Sequence, residues 1–563
     1  MKYFNCLDYT RPVYSKIKKE INSLTNKLNK SKNYEEYISC VKKIIDIQNY
    51  IEELHDYVDI NNMRNLKDEY YIKELKYWNK YKSKYDLLFI PFYNLLLNSK
   101  YKEELSKIIP PNFFNTISFR IKLESNNIIK LIEEENKLKN DYLKILNKKV
   151  LYNDKEVPLS KVSTDYTNPN RDIRKKSYDT INNFYLENDK QLEDIYFNLI
   201  NIRNSIAKSL GFNNYTEYSL YSLRRFGYNY KDITKFRENI IKYIIPLCDK
   251  LDNIKKKNLN IDTIKYYDEK TFYKEMPSVL YKGESLLNEL KISFKNIDNN
   301  LSNLYNDMLK YGYIDLINRE NKANIGITNY LTKTKYPTIT GNLKDNYLDI
   351  QLTTHELGHA YQKYNASIKD KNYIVSSLLK YPTFDIAEIF SHAMELITIP
   401  YLDNIFTKPD HKKYKLLIIN EIITKLPYIC LIDEFQEQIY SKTNLEKQDI
   451  KTTWLNLVKK YNQETNNTGH PNLDKGNYFY RQNHLFLNPF YYIDYGLSYF
   501  GALSIWDKSS SNLDYFNELA SIASYYPLDI LIEKYNLPNP FSEESIKDIA
   551  AKLEEELNNY NHE

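Results

Sequence analysis

Apolar residues recur at three- and four-residue steps through the N-terminal part of the chain: Ile17, Ile21, Leu24 and Leu28 form one stripe, and Ile128, Leu131 and Ile132 repeat it later. That period is one face of a helix. It predicts helix from about Ser15 to Asn147, with breaks where Pro91, Pro110 and Pro111 remove backbone donors. The stripes read as core, and no chemistry-bearing cluster accompanies them, so this region is assigned a covering or shaping role. Lys149 to Leu159, KVLYNDKEVPL, departs from the helical period. Its Asn153-Asp154 pair between short β-prone runs predicts a hairpin. A boundary near Val162 to Asn168 follows, giving an N-terminal helical lobe over 1–165 and a second region over 166–563. Helix resumes from Asp172 to Lys250, with Gly211 and Gly227 at helix ends. The last stretch, Phe541 to Tyr560, carries Ser542 as N-cap and a stripe of Ile546, Ile549, Ala550, Leu553 and Leu557, which is a terminal packing helix.

The second departure is Lys335 to Leu352, KYPTITGNLKDNYLDIQL. Tyr336, Thr338 and Thr340 alternate as on one face of a strand, Gly341 to Asn346 reads as a turn, and Leu348 with Ile350 as a return strand. An edge strand here could hold an extended peptide by adding it to the sheet, which makes Thr338 and Thr340 candidates for substrate contact; a hairpin that only braces the next helix fits the same pattern.

Composition narrows the class. With 11 Gly and 18 Pro in 563 residues, and no Gly/Ser/Pro-rich linker, the chain reads as continuous helical architecture rather than tethered modules. The net charge of +5 is the difference between 79 basic and 74 acidic residues spread along the whole length. No basic block exceeds the Lys255 to Lys257 run, a solvated helix face, which argues against a nucleic-acid partner. Cys6, Cys40, Cys248 and Cys430 stand singly, as thiols of a reducing compartment do. The N-terminal residues lack a basic and an apolar signal region. The longest apolar run, Leu416 to Ile432, is interrupted by Asn420, Glu421 and Lys425. The expectation is a cytoplasmic protein with no membrane partner.

That picture changes at Leu352 to Tyr364, LTTHELGHAYQKY, which contains H-E-x-x-H. On a helix, His355 and His359 share a face and can offer imidazole nitrogens to one metal ion, with Glu356 beside it, as in a zinc peptidase. Such a site takes three protein ligands. Tyr381 to Leu396, YPTFDIAEIFSHAMEL, places Glu388, His392 and Glu395 on one helical face, and any of the three could ligate. The favoured set has Glu388 as ligand and Glu395 bonded to a ligating histidine, with Asp385 as a further supporting carboxylate; His392 is the alternative ligand. Glu356 is placed as general base, accepting a proton from a metal-activated water. Donors for the oxyanion are sought in Tyr480 to Tyr495, where Tyr491 or Tyr492 and Tyr495 surround His484.

Together, THELGHAYQKY, DIAEIFSHAME and RQNHLFLNPFYYIDYGL, with RRFGYN and the N-terminal YTRP, resemble the thimet oligopeptidase superfamily of zinc endopeptidases, and within it the oligoendopeptidase F branch. The resemblance covers essentially the whole chain. It implies a mostly α, two-lobed body with a deep substrate channel and a small β-sheet before the H-E-x-x-H helix. It also implies one zinc ion per chain held by His355, His359 and Glu388, support from Glu395, and a non-ligand role for His392. His484 and Tyr495, with Tyr491 or Tyr492, match the family's substrate and oxyanion donors. Two departures fall where the family has glycines: Ile325-Gly326 in NIGITNYL and Lys344 to Asn346. Both bear on substrate preference, which adds Gly326 to the candidates for substrate contact.

The function implied is zinc-dependent hydrolysis of internal bonds in short unstructured peptides. The rival readings are a zinc carboxypeptidase on a related helical fold and a non-catalytic helical peptide-binding protein.

Overall fold

The computed structural model describes residues 3–109, 111–123, 128–369, 382–509 and 512–562; Pro110 among the helix breaks and Tyr381 at the head of the glutamate segment lie outside them. Helices dominate. The described strands are short: β1 (Lys149–Tyr152), β2 (Lys155–Pro158), β3 (Ile314–Asp315), β4 (Ile327–Leu331) and β5 (Tyr336–Thr340). Among the described residues no helix is long and apolar enough to cross a membrane. The chain forms two compact units, each assembled from three separate segments. The first holds Met1–Glu124, Ser278–His411 and Gly501–Leu537; the second holds Ser125–Pro277, Lys412–Phe500 and Pro538–Glu563.

In the first unit, helices Tyr14–Asn29, Tyr34–Arg64, Glu69–Leu87 and Ile90–Leu97 close over a core that includes Ile21, Val41, Ile44, Trp78 and Phe92. Capping sets where two of them start. Asn33 accepts from the Glu36 N–H, and Asp68 from those of Tyr70 and Tyr71. Pro91 sits in the first turn of its helix, where a missing N–H does no harm. The shaping role of this region becomes concrete at Glu53, whose carboxylate takes the Lys333 and Thr334 N–H groups and the Thr334 hydroxyl, tying down the turn between β4 and β5. Arg64 adds a second tie through the Gly312 and Tyr313 carbonyls just before β3.

The sheet corrects the strand assignment drawn from the sequence. Its order is β3-β5-β4, with β5 paired in parallel to β3 and antiparallel to β4. Tyr336 to Thr340 is therefore the central strand, and the hairpin partner is β4, upstream. Leu348 and Ile350 belong to a helix, Leu348–Lys369, rather than to a return strand. Leu348 is 40% exposed and Ile350 0%, whereas a strand would have put both on one face. The helix starts where it does because the buried Asp349 carboxylate accepts the Lys344 and Asn346 N–H groups. Asp345 between them has φ 59°, the left-handed region that accounts for a glycine preference at this turn.

In the second unit, β1 and β2 form the expected hairpin, with Asn153 (φ 51°) and Asp154 (φ 60°) supplying the two positive-φ positions of a tight turn. Gly211 (φ 86°) and Gly227 (φ 98°) follow the helices Asp189–Ser209 and Tyr215–Ser222. The terminal helix Glu543–His562 buries Ile546, Ile549, Ala550, Leu553 and Leu557, the predicted stripe.

Candidate active site

The H-E-x-x-H helix, Leu348–Lys369, packs against β4, β5 and a second helix, Phe384–Thr398. The two helices touch backbone to backbone at Gly358. A Cβ there would stand 2.4 Å from the Phe390 carbonyl oxygen and 2.7 Å from Ser391 Cα, distances no side-chain carbon tolerates. A glycine inside a helix costs about 1 kcal/mol relative to alanine, so this one is explained by packing.

This close approach brings three donors together. His355 Nε2 lies 3.4 Å and His359 Nε2 3.5 Å from Glu388 Oε2, and ligand atoms of the three residues all fall within 4.8 Å of one another. Ser391, one turn beyond Glu388, donates its hydroxyl to the same Oε2 at 2.8 Å. On the other side of the His355 ring, Nδ1 is 2.7 Å from Glu395 Oε1, and Gln351 donates to Glu395 Oε2 at 2.9 Å. His392 Nδ1 is 3.2 Å from that same Glu395 Oε1, so His392 falls into a second grouping, with His355 and Glu395. Asp385 is buried in the first turn of its helix, where the helix dipole favours a carboxylate.

Electrostatics favour a cation here. Burial opposes charge on His355, yet hydrogen bonds and field from Glu388 and Glu395 override it and hold its pKa well above the usual imidazole range. Burial likewise works against ionised Glu388 and Glu395, and the facing histidines outweigh it and hold both pKa values below the carboxylate range. Two buried carboxylates facing neutral imidazoles leave negative charge to be balanced, by protons or by a metal ion. Two imidazoles and a carboxylate at these separations fit zinc.

Glu356 is buried, and it meets the sheet. Thr328, on β4, places Oγ1 2.6 Å from Glu356 Oε2. Gly326, just ahead of β4, is exposed and lies so close that a Cβ would be 3.1 Å from Glu356 Oε1. Thr338 and Thr340 are only 1% and 2% exposed on the central strand, so they support the sheet instead of presenting an edge to a ligand. The edges of this sheet are β3 and β4, and the five-residue β4 is the longer of the two.

The C-terminal candidates form a separate cluster within the second unit. The His484 ring lies 5.7 Å from Tyr491, 4.8 Å from Tyr492 and 5.9 Å from Tyr495, centroid to centroid. Tyr428 donates to Gln482 Oε1 at 3.0 Å, and the Gln482 amide faces His484 Nδ1 at 2.8 Å. With Nδ1 accepting from that amide, the ring proton is assigned to Nε2, which makes it a donor. Desolvation raises the Tyr492 phenol pKa against the pull of Lys425 and Lys270, so it too is an O–H donor at neutral pH. The loop that presents these tyrosines turns at Phe490, with φ 64°. The Phe490 N–H donates to Gln436 Oε1 at 2.7 Å, and its carbonyl accepts from Arg225 at 2.6 Å. Arg225, from the RRFGYN segment, also pairs with the buried Asp494 at 2.7 Å.

Two family profiles match the chain: the peptidase M3 N-terminal domain over residues 4–123 and peptidase family M3 over residues 166–521. The chain belongs to peptidase family M3. No curated protein matches it in sequence. Among solved structures, this M3 peptidase is similar to PZ peptidase A crystallised with an inhibitor, at 26% identity and TM-score 0.91 over 99% of both chains. It is also similar to a candidate oligoendopeptidase F of Bacillus anthracis str. Ames, at 26% identity and TM-score 0.87 over 99% of this chain and 98% of that one. A further candidate oligoendopeptidase F shares the fold, at 24% identity and TM-score 0.91 over 99% of both chains. Within the family the chain falls in the oligoendopeptidase F branch.

Sequence pattern passed over four residues of this M3 peptidase that contact its candidate site. Ser391 and Gln351 are legible in hindsight, one turn from Glu388 and His355 on their helices. Gly358 carried a signal, since a glycine in a helix interior calls for a packing reason. Thr328 carried none, because its contact with Glu356 depends on the pairing of β4 with β5.

Proposed function

We propose that this peptidase is a zinc-dependent oligoendopeptidase that hydrolyses internal bonds of short, unstructured peptides. The observation that carries the reading is the convergence of His355, His359 and Glu388 with Glu356 on the same helix, in a chain of peptidase family M3. When bound, zinc would supply a Lewis acid that polarises the scissile carbonyl and lets water attack near neutral pH. Glu356 takes a proton from that water as the C–O bond forms, and delivers it to the amine nitrogen as the C–N bond breaks. Glu395 fixes the ring of His355 through Nδ1, which orients Nε2 toward Glu388. The peptide lies extended along the β4 edge. His484, Tyr492 and Tyr495 donate hydrogen bonds to the substrate, a role taken from the family resemblance and supported for His484 and Tyr492 by their donor states. Four free cysteines support a reducing compartment, hence the cytoplasm.

The test combines metal analysis with cleavage of an internally quenched peptide blocked at both ends. The wild type should hold one zinc and cut it. Glu388→Ala should bind zinc at least about 100-fold more weakly and lose turnover in step. Full zinc and full activity in Glu388→Ala would move the third ligand to His392. Cleavage confined to peptides with a free C-terminus would replace the endopeptidase reading with a carboxypeptidase.

A further inference from the structure

Thr328 reaches Glu356 in two ways: its Oγ1 lies 2.6 Å from Oε2 and 3.0 Å from the main-chain oxygen of the same residue. A hydroxyl has one proton to give, and the shorter, charge-assisted bond to the carboxylate is the stronger of the two. Glu356 Oε1 has different surroundings. It runs beside Gly326, where a Cβ would come within 3.1 Å of it. The two carboxylate oxygens are thus distinguished by Thr328 on β4 and by Gly326 just ahead of that strand. Thr328 is itself held to the helix, its carbonyl accepting from Lys363 at 3.3 Å.

We infer that Thr328 is a positioning residue: by engaging Oε2 it turns Oε1, along Gly326, into the oxygen that accepts the proton. The inference rests on Glu356 being the general base and extends that reading to β4. The strand proposed to receive the peptide is then also the strand that aims the base, so substrate register and base orientation are set by one piece of backbone.

The experiment compares kcat, KM, zinc content and thermal stability for Thr328→Val, Thr328→Ser, Glu356→Gln and the Thr328→Val/Glu356→Gln double variant. Thr328→Val keeps the shape and removes the donor. It should lower kcat by about 10- to 100-fold, with KM within twofold and full zinc. Thr328→Ser should recover kcat to within about threefold of wild type, and on the Glu356→Gln background Thr328→Val should cost nothing further. A wild-type kcat in Thr328→Val overturns the inference. So does zinc loss that accounts for the fall in rate, or an equal fall in both backgrounds, since either is a structural effect. If instead Glu356→Gln itself keeps its activity, the base assignment has failed, and that result is separate from any outcome for Thr328.

Discussion

Glu356→Gln is expected to lower kcat by about 10³- to 10⁴-fold while zinc content, KM and thermal stability stay at wild-type values. That loss corresponds to about 4 to 5.5 kcal/mol of transition-state stabilisation. Glutamine keeps the length and the oxygen that Thr328 engages, so the buried side chain retains its hydrogen bond and leaves no cavity. What it cannot do is accept the proton of the attacking water. The measurement is steady-state cleavage of the blocked, quenched peptide beside zinc determination on the same preparation. Retention of more than a tenth of wild-type kcat would remove Glu356 as the base; parallel loss of zinc would mean that the residue supports the metal site instead.

Gly358→Ala is expected to damage the site without touching a donor atom. Two effects compete. Alanine gains about 1 kcal/mol of helix propensity over glycine. Against this, its Cβ would stand 2.4 Å from the Phe390 carbonyl oxygen, 2.7 Å from Ser391 Cα and 2.9 Å from the Phe390 carbonyl carbon, all backbone, with no flexible side chain to move aside. The helices must then separate by something on the order of 1 Å, and overpacking of this kind costs about 1 to 3 kcal/mol. Steric strain wins. Because Gly358 adjoins His359 and sits opposite the turn after Glu388, separation draws both histidines away from their third partner, and a 1 Å misplacement is worth about 100-fold in rate. The expected readout is a lower melting temperature and faster zinc loss to a chelator than in wild type. Wild-type values for both would show that the helices have room that their backbones deny here.

These two positions also mark how far the sequence could be read. The H-E-x-x-H spacing identified His355, Glu356 and His359 because four residues on a helix always share a face, whatever surrounds it. Glu388, His392 and Glu395 share a face as well, and spacing alone could not rank them. Their ranking depends on how the two helices cross, which is set by a glycine contact between residues more than thirty positions apart in sequence. The strand before the helix was legible from the alternation of Tyr336, Thr338 and Thr340. Its place in the sheet was not, since β3 is two residues long and pairs in parallel from a distance. Leu348 and Ile350 misled because two apolar residues at a spacing of two fit a strand or a helix start, and only the Asp349 cap decides between them. The N-terminal helices showed their period and core plainly, but Glu53, their link to the sheet, was one acid among many.

The left-handed backbone at Phe490 has a bearing on how the tyrosine loop behaves. A buried aromatic residue at φ 64° is held against a local penalty of about 1 to 3 kcal/mol. Gln436, Arg225 and the rings of Tyr215, Tyr230 and Tyr440 hold it there. The entropy of ordering this loop is therefore surrendered during folding. A molecule arriving at Tyr491, Tyr492 and Tyr495 meets a preorganised surface and keeps more of its own interaction energy as affinity.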